Sequence, residues 1–271
     1  MNRNALASDQ DPLFKSENPQ LLKIWDSMQR LQTDFCVNQE LSAYYLSPQW
    51  LNAQTVLDLG TGNGYYLNKI VSQFPNKHYL GVDSSAEFID VAIKDFVIEN
   101  VAFKHADLIE ETGRYDFIIM RLLLQHLSDI PSTFEHLARI TDGSVLVIDA
   151  YDPFRYFSPP LPQFMAFFQA YTNHEASQGR RRDVSVVLMD YLKSNSEWTV
   201  ASAQYLLIPS TIHGNLDSMR KNYALLIDLL ETVGDFDYDY NSVREEWNWW
   251  CGLDRAYTQV GLMLLRLDRV V

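Results

Sequence analysis

Short apolar runs alternate with amphipathic stretches along the middle of the chain. The apolar runs are of strand length and lie at Thr55–Leu59, Tyr79–Val82, Val101–Lys104, Tyr115–Met120 and Ser144–Ile148. The stretches between them repeat their apolar residues at helical spacing, at Gly64–Phe74, Ala86–Ile98 and Pro131–Ile140. Because short apolar strands that alternate with helices bury both faces of a sheet, the pattern predicts an α/β fold, doubly wound around a mostly parallel sheet.

The segments on either side follow other patterns. Asn18-Pro19 is typical of a helix start, and helical spacing continues to about Tyr45. The proline-rich stretch Tyr151–Pro162 cannot continue a sheet interior. Beyond it the patterns predict helices at Gln163–Tyr171, Asp183–Lys193, Leu216–Leu230 and Ser242–Trp250, and strands at Trp198–Ile208 and Gly261–Leu267.

These patterns divide the chain into a sheet core and three helical segments. The predicted core comprises residues 51–150, 183–210 and 257–271, and the helical segments are 1–50, 151–182 and 211–256. In a doubly wound sheet, the loops at the carboxyl ends of the strands border the ligand crevice. We therefore expect the N-terminal helices and the two inserts to form a helical cap over that crevice.

Charge and composition exclude several classes of partner. The chain has 22 Lys and Arg against 35 Asp and Glu, a net charge of −13, so we expect no nucleic-acid partner. The short basic run Arg180–Arg182 is interpreted as a solvated face. Two cysteines, Cys36 and Cys251, form neither a disulfide framework nor a metal site. The polar residues 1–17 and the lack of a long apolar run predict a cytoplasmic protein without a membrane span.

A glycine-rich loop follows the first predicted strand, in the sequence Asp58-Leu-Gly-Thr-Gly-Asn-Gly64. Glycines here permit positive φ and let a ligand approach the backbone. The third glycine of a dinucleotide fingerprint would fall at Tyr65, which argues against a nicotinamide oxidoreductase. An acid two residues before Gly60 suits the ammonium and sulfonium end of S-adenosylmethionine (SAM) better than a pyrophosphate.

Further polar residues follow the next two strands. Asp83 is placed to accept hydrogen bonds from ribose hydroxyls. The alternative interpretation of Asp83 is a helix cap, a role for which Ser84-Ser85 would also serve. Asp107 is a candidate acceptor for an adenine amino group, with Leu108 packed on the ring. The alternative interpretation of Asp107 is a turn residue.

From about Thr55 to Asp149 these motifs resemble the class I, Rossmann-like SAM-dependent methyltransferases. Within that class the chain looks most like the small-molecule group that includes the ubiquinone and menaquinone C-methyltransferases. It departs from many of them in having Thr141-Asp-Gly143, rather than Pro-Gly-Gly, at a predicted surface turn before the fifth strand.

The resemblance implies a seven-stranded sheet in which the first and fourth strands are neighbours, with SAM as cofactor and S-adenosylhomocysteine (SAH) as product. The implied cofactor-binding residues are Asp58, Gly60, Thr61, Gly62, Gly64, Asp83, Ser84, Asp107, Leu108 and Arg121.

Methyl transfer from a sulfonium is an in-line displacement, so the protein must mainly align the nucleophile and exclude water. His126, which follows the fourth strand, is a candidate general base or else a structural histidine. Asp149 and Asp152 are alternative catalytic candidates at the end of the fifth strand. Tyr44 and Tyr45 end the N-terminal helix and are candidates to close over the cofactor.

Aromatic residues of the cap either contact an aromatic substrate or form the cap's own core. The candidate substrate contacts are Tyr45, Tyr151, Tyr156, Phe168 and Trp250.

The sequence thus predicts a SAM-dependent methyltransferase that moves a methyl group to an O, N or C atom of a small molecule, with an aromatic compound as one candidate. The alternatives are a protein or tRNA methyltransferase and a non-catalytic SAM-binding protein. The sequence indicates no metal and leaves monomer and homodimer open.

Overall fold

The computed structural model describes residues 18–270, so the polar segment 1–17 lies outside the described residues. The helices are α1 (Pro19–Tyr45), α2 (Pro48–Asn52), α3 (Tyr65–Gln73), α4 (Ala86–Asp95), α5 (Ile130–Ile140), α6 (Pro162–Ser177), α7 (Val184–Ser194), α8 (Asn215–Val233) and α9 (Tyr240–Cys251). The strands are β1 (Thr55–Leu59), β2 (His78–Asp83), β3 (Val101–His105), β4 (Tyr115–Arg121), β5 (Thr141–Ala150), β6 (Tyr156–Ser158), β7 (Trp198–Pro209) and β8 (Tyr257–Arg269).

The eight strands of residues 18–270 belong to one sheet. Its order is β3-β2-β1-β4-β5-β8-β7, and β6 pairs with the first residues of β8. The strands β1 to β5 pair in parallel, whereas β8 runs antiparallel to both β5 and β7. The predicted α/β class, the mostly parallel sheet and the pairing of the first and fourth strands are confirmed.

Two parts of the sheet differ from the prediction. The three-residue strand β6 lies inside the proline-rich stretch and continues along β8 beyond the end of β5. The stretch predicted as a surface turn, Thr141–Gly143, is instead the beginning of β5, where Thr141 is fully buried and its Oγ1 donates to the Tyr115 carbonyl at 2.7 Å.

The sheet core is filled from both faces. On β4, Phe117 and Ile119 face the side covered by α2 and α3, while Ile118 and Met120 face the side covered by α5 and α7. All four side chains are fully buried. This alternation is what a strand covered on both faces requires, and it fixes the register of the central strands.

The helices α1, α6, α8 and α9, here called the helical layer, pack against one another through their own apolar surface. Aromatic rings from α6, α8 and α9 form one buried cluster, which includes Phe164, Tyr223, Trp247 and Trp250. The helix α1 packs on α8 through Met28 and its apolar neighbours. Because the inserts follow β5 and β7, which run in the same direction, the helical layer lies over the carboxyl edge of the sheet.

No helix within residues 18–270 is both long enough and apolar enough to cross a membrane.

The close approach of Gly143 to β4 provides a test of the β5 boundary. A Cβ at this position would overlap with the Asp116 carbonyl oxygen, whereas one on Gly252 would meet its nearest neighbour at an ordinary 3.4 Å. We expect Gly143→Ala to lower the free energy of unfolding by about 1–3 kcal/mol because the two strands must separate. Gly252→Ala is the control and should change it by less than about 0.5 kcal/mol in urea unfolding. Equal midpoints for the two variants would contradict the strand assignment.

Candidate active site

A cavity opens at the carboxyl edge of the sheet, between the ends of β1 and β4, and extends under α1, α6 and α8. One end is bordered by Asp58, Gly62 and Asp83, and the other by Phe168 and Tyr223. It is therefore a crevice at the point where the chain leaves neighbouring strands in opposite directions, which is the usual ligand position in such sheets.

The glycine loop after β1 is tied to β2 and covered by α1. The N–H groups of Gly60 and Thr61 donate to the Val82 carbonyl at 2.9 and 3.0 Å. Gly62 has φ +55°, and a Cβ there would overlap with the side chain of Gln29. Only glycine satisfies both the backbone conformation and the close approach of the helix.

Asp83, at the end of β2, holds this loop through its carboxylate. Oδ2 accepts from Gly62 N at 2.8 Å and Oδ1 accepts from Ser85 N at 2.9 Å. Burial raises the pKa of the Asp83 carboxyl, and the two N–H donors oppose this shift. Each oxygen retains a lone pair for a further donor.

Asp58, at the end of β1, is 2% exposed. Its Oδ2 accepts from Thr61 Oγ1 at 2.7 Å. Burial raises the pKa of this carboxyl to about 7, although Thr61 and the charge of Arg121 favour the ionised form. A cationic ligand nearby would favour the ionised form further.

Polar residues of α1 hold the far side of the loop. Gln29 Oε1 accepts from Asn63 N at 3.0 Å, and Asp26 Oδ1 accepts from Asn63 Nδ2 at 2.7 Å. Asp26 also pairs with Arg30 at 3.1 Å. The N-terminal helix is therefore part of the site and not a separate appendage.

Arg121 ends β4 in a buried ion pair with Glu40 of α1. Nε and Nη2 both contact the Glu40 carboxylate at 3.0 Å, and the two side chains are 8% and 0% exposed. Arg121 Cζ lies 4.3 Å from the centre of the Tyr66 ring, and Tyr66 shares a 2.8 Å hydrogen bond with Tyr44. Burial alone would lower the pKa of Arg121, but Glu40 reverses the shift and keeps the guanidinium charged.

The backbone after β4 is strained. Leu122 has φ +53°, and its N–H donates to the Ile148 carbonyl at 2.7 Å. A non-glycine residue in this region costs about 1–3 kcal/mol, and such residues cluster at functional sites. The turn brings His126 to the cavity wall, where its ring lies 6.3 Å from that of Trp25 in an edge-to-face arrangement.

Asp149 is fully buried behind this turn. It accepts from Ala150 N at 2.8 Å and from Gln125 N at 3.3 Å. Burial raises its pKa to about 6, while these donors and the charges of His126 and Arg182 act in the opposite direction.

The opposite end of the cavity contains two arginines. Arg182 Nε donates to Asp152 Oδ2, and Arg155 Nη2 donates to Asp152 Oδ1, both at 2.7 Å. Although burial acts in the opposite direction, Arg182 and Arg155 hold the pKa of Asp152 well below its usual range. Arg155 also stacks on Phe168, 4.0 Å from the ring centre, and donates to the Tyr223 hydroxyl.

The structure brings part of the predicted set together. The predicted residues on the cavity wall are Asp58, Gly60, Thr61, Gly62, Asp83, Arg121, His126 and Phe168. The predicted residues that do not line it are Gly64, Ser84, Asp107, Leu108, Asp149, Tyr45, Tyr151, Tyr156 and Trp250.

Several residues outside the wall have other contacts. Asp107 caps a short 3-10 turn, with Oδ1 accepting from Ile109 N at 3.1 Å. Tyr45 is 49% exposed and donates to Gln73, whereas its neighbour Tyr44 is buried beside Tyr66. Trp250 belongs to the core of the helical layer.

The interpretation of Arg180–Arg182 as a solvated face is wrong for two of the three. Arg180 is buried against Glu175 at 2.7 Å, Arg182 is held by Asp152, and Arg181 alone is exposed. The chain turns sharply after α6, so successive side chains point in different directions. Within residues 18–270, no group of His, Cys, Asp or Glu is placed to hold a metal ion.

The buried Arg121–Glu40 pair yields a stability prediction. Removing one partner leaves an uncompensated buried charge, so Glu40→Met or Arg121→Met should each cost about 3–5 kcal/mol in the free energy of unfolding. The double variant should cost clearly less than the sum of the two, because neither charge remains. Denaturant unfolding of the four proteins measures this cycle, and additive losses would show that the pair is not coupled.

Comparison with known proteins agrees with this geometry. Residues 30–157, from α1 to β6, match a protein family described as "Methyltransferase domain". The secondary metabolism regulator laeA of Coprinopsis cinerea is 25% identical over 230 residues, which cover 74% of this chain and 54% of that protein. Malonyl-[acyl-carrier protein] O-methyltransferase of Paenibacillus sp. is 25% identical over 187 residues, covering 66% of this chain and 63% of the relative. Other relatives are named as a tRNA U34 carboxymethyltransferase and a ribosomal RNA small subunit methyltransferase G.

Each of these alignments spans less than two thirds of the relative's own length. Among solved structures, the plantazolicin methyltransferase BpumL in complex with SAH superposes with a TM-score of 0.51 at 16% identity, over 94% of both chains. The chain therefore has the class I methyltransferase fold, and its residues 30–157 are similar to a methyltransferase domain.

Proposed function

We propose that this protein is a SAM-dependent methyltransferase that acts on a small molecule held between the carboxyl edge of the sheet and the helical layer. The observation that carries the proposal is the shape of the cavity. Its one end has the glycine loop with Asp58 and Asp83, and its other end is enclosed by aromatic side chains of α6 and α8.

The first end fits the cofactor. A Cβ on Gly60 would lie 2.9 Å from Leu123 Cδ1, so glycine is what allows the loop to pack this closely while its backbone borders the cavity. The Asp83 carboxylate can accept from ribose hydroxyls, and the Asp58 carboxylate can face the positively charged methionine end. Asp107 and Leu108 follow β3, outside the cavity wall, and are the candidates for contact with the adenine. When bound, SAM supplies an electrophilic methyl group on a sulfonium leaving group.

The chain's own residues then orient the acceptor and exclude water. The Arg121–Glu40 pair fixes α1 over the site, and Phe168 and Tyr223 provide an apolar wall against which a substrate can be positioned. His126 is the better candidate to take a proton, since it lines the cavity. Asp149 is fully buried behind it and acts through electrostatic support of that histidine.

Enclosure and charge favour a small molecule over a macromolecule. The helices α1, α6 and α8 cover the crevice, so a polynucleotide or a folded protein would have to displace them. The net charge of −13 adds repulsion of phosphate backbones. Methylation of tRNA in preference to small acceptors would support a tRNA substrate instead. That result would replace this proposal.

Cofactor binding is tested by titration calorimetry with SAH. We expect wild-type protein to bind SAH and Asp83→Asn to bind it more weakly by about 1.5–3 kcal/mol, because one charge-assisted hydrogen bond is lost. Asp190→Asn is the control, since Asp190 is exposed and pairs with Lys193 on the surface. Failure of the wild type to bind SAH would reject the proposed function, and an unchanged dissociation constant for Asp83→Asn would reject the ribose assignment alone.

The raised pKa of Asp58 predicts a pH dependence. The folded protein holds this proton more tightly than the unfolded chain does, so Asp58's contribution to stability falls as pH rises from 3.8 to about 7. A cationic ligand favours the ionised form, so SAM binding should release protons near neutral pH and weaken below it.

Calorimetry at neutral pH in two buffers of different ionisation enthalpy counts the released protons. We expect Asp58→Asn to remove most of the release, which separates Asp58 from Asp149 and His126. Tighter SAM binding at pH 6 than at pH 8, each about one unit from the pKa, would contradict the assignment.

A further inference from the structure

Two arginines at the inner end of the cavity share one carboxylate. Asp152 Oδ1 accepts from both Arg155 Nη2 and Arg182 Nη2, at 2.7 and 3.1 Å, and Oδ2 accepts from Arg182 Nε at 2.7 Å. A single carboxylate can balance one of the two positive charges. Asp149, the other acid nearby, accepts backbone N–H groups and forms no ion pair with either arginine within residues 18–270.

Arg155 retains donors that the described residues do not use. Its side chain is 9% exposed, and its buried Nε has no hydrogen-bond acceptor among residues 18–270. Arg155 Nη1 donates to the Tyr223 hydroxyl, so the hydroxyl oxygen is an acceptor there and its proton remains available to another acceptor. An unpartnered buried donor of a charged group is costly, unless a ligand supplies the acceptor.

We propose that this end of the cavity binds a carboxylate of the substrate through Arg155, Arg182 and the Tyr223 hydroxyl. The inference rests on the proposed function, because it takes the cavity to be the substrate site. A planar carboxylate matches the fork of a guanidinium, and a single uncompensated charge suits a monoanion better than a phosphate dianion. The rings of Phe168 and Tyr171 beside the arginines suit an apolar or aromatic body attached to that carboxylate.

The distribution of charge along the cavity orients such a substrate. Asp58 and Asp83 lie at the glycine-loop end, and Arg121 near them is neutralised by Glu40. A carboxylate is therefore repelled from the cofactor end and attracted to Arg155 and Arg182. This carboxylate positions the substrate and is not the methyl acceptor, because pairing with guanidinium groups withdraws the electron density that a nucleophile needs.

The experiment compares phenylacetate with its neutral analogue phenylacetamide on the SAH-loaded protein, by ligand-observed NMR titration. The wild type should bind the carboxylate at least about tenfold more tightly than the amide. Arg155→Gln, Arg182→Gln and Tyr223→Phe should each reduce that preference. Arg181→Gln is the matched control, because Arg181 is exposed and pairs with Asp183 on the surface.

Every variant is first titrated with SAH, whose binding site lies at the other end of the cavity. Unchanged SAH binding shows that the variant is folded. If an arginine variant fails to fold, Tyr223→Phe, which retains the ring, still tests the inference. Equal binding of acid and amide to the SAH-loaded wild type, or a preference that survives in Tyr223→Phe and both arginine variants, overturns the inference and leaves the methyltransferase proposal standing. Loss of SAH binding in the wild type would instead overturn the proposed function.

Discussion

The adjacency of β1 and β4 is the constraint on which the rest of the site depends. The chain leaves β1 for β2 on one side and passes from β4 to β5 on the other, so the loops diverge and leave a crevice at the carboxyl edge. The acids Asp58 and Asp83, which line the cavity, and Asp149, which is buried behind it, each lie at the last or the next-to-last residue of a strand at this edge. Their proximity follows from parallel strands ending together.

The helical layer completes the site by adding charges from far along the chain. Glu40 of α1 neutralises Arg121, and Asp26 and Gln29 fix the glycine loop. The result is a cavity with the carboxyl groups of Asp58 and Asp83 at one end. At the other end, two guanidinium groups share the carboxylate of Asp152. Because charges act strongly where water is excluded, this polarity can orient both a cationic cofactor and an anionic substrate.

The sheet core was predictable because its patterns are local. Strand length, helical spacing and the glycine loop lie within short windows, and they predict the strands and helices of the core together with the positions of Asp58 and Asp83. The pairing of the first and fourth strands was implied by the resemblance to class I methyltransferases. Tyr65 stands where a dinucleotide fingerprint needs its third glycine, and this residue alone distinguishes the loop from that fingerprint without any tertiary information.

The helical contributions were not predictable, because each depends on a contact between distant segments. Glu40 and Arg121 are 81 positions apart, and nothing local marks Glu40 as buried. Tyr44 and Tyr45 are neighbours, yet successive helix positions face different sides, so one is buried and the other exposed. Arg182 belongs to a short run of arginines, which is the sequence pattern of a solvent-exposed face. Its ion-pair partner Asp152 lies 30 positions away.

A crystal structure of the SAH complex would show which end of the cavity holds the cofactor. SAH should lie along the glycine loop, with ribose hydroxyls within hydrogen-bond distance of the Asp83 carboxylate and the sulfur directed toward the chamber, the end of the cavity lined by Phe168 and Tyr223. SAH bound inside that chamber, or outside the cavity, would contradict the division of the site into a cofactor end and a substrate end.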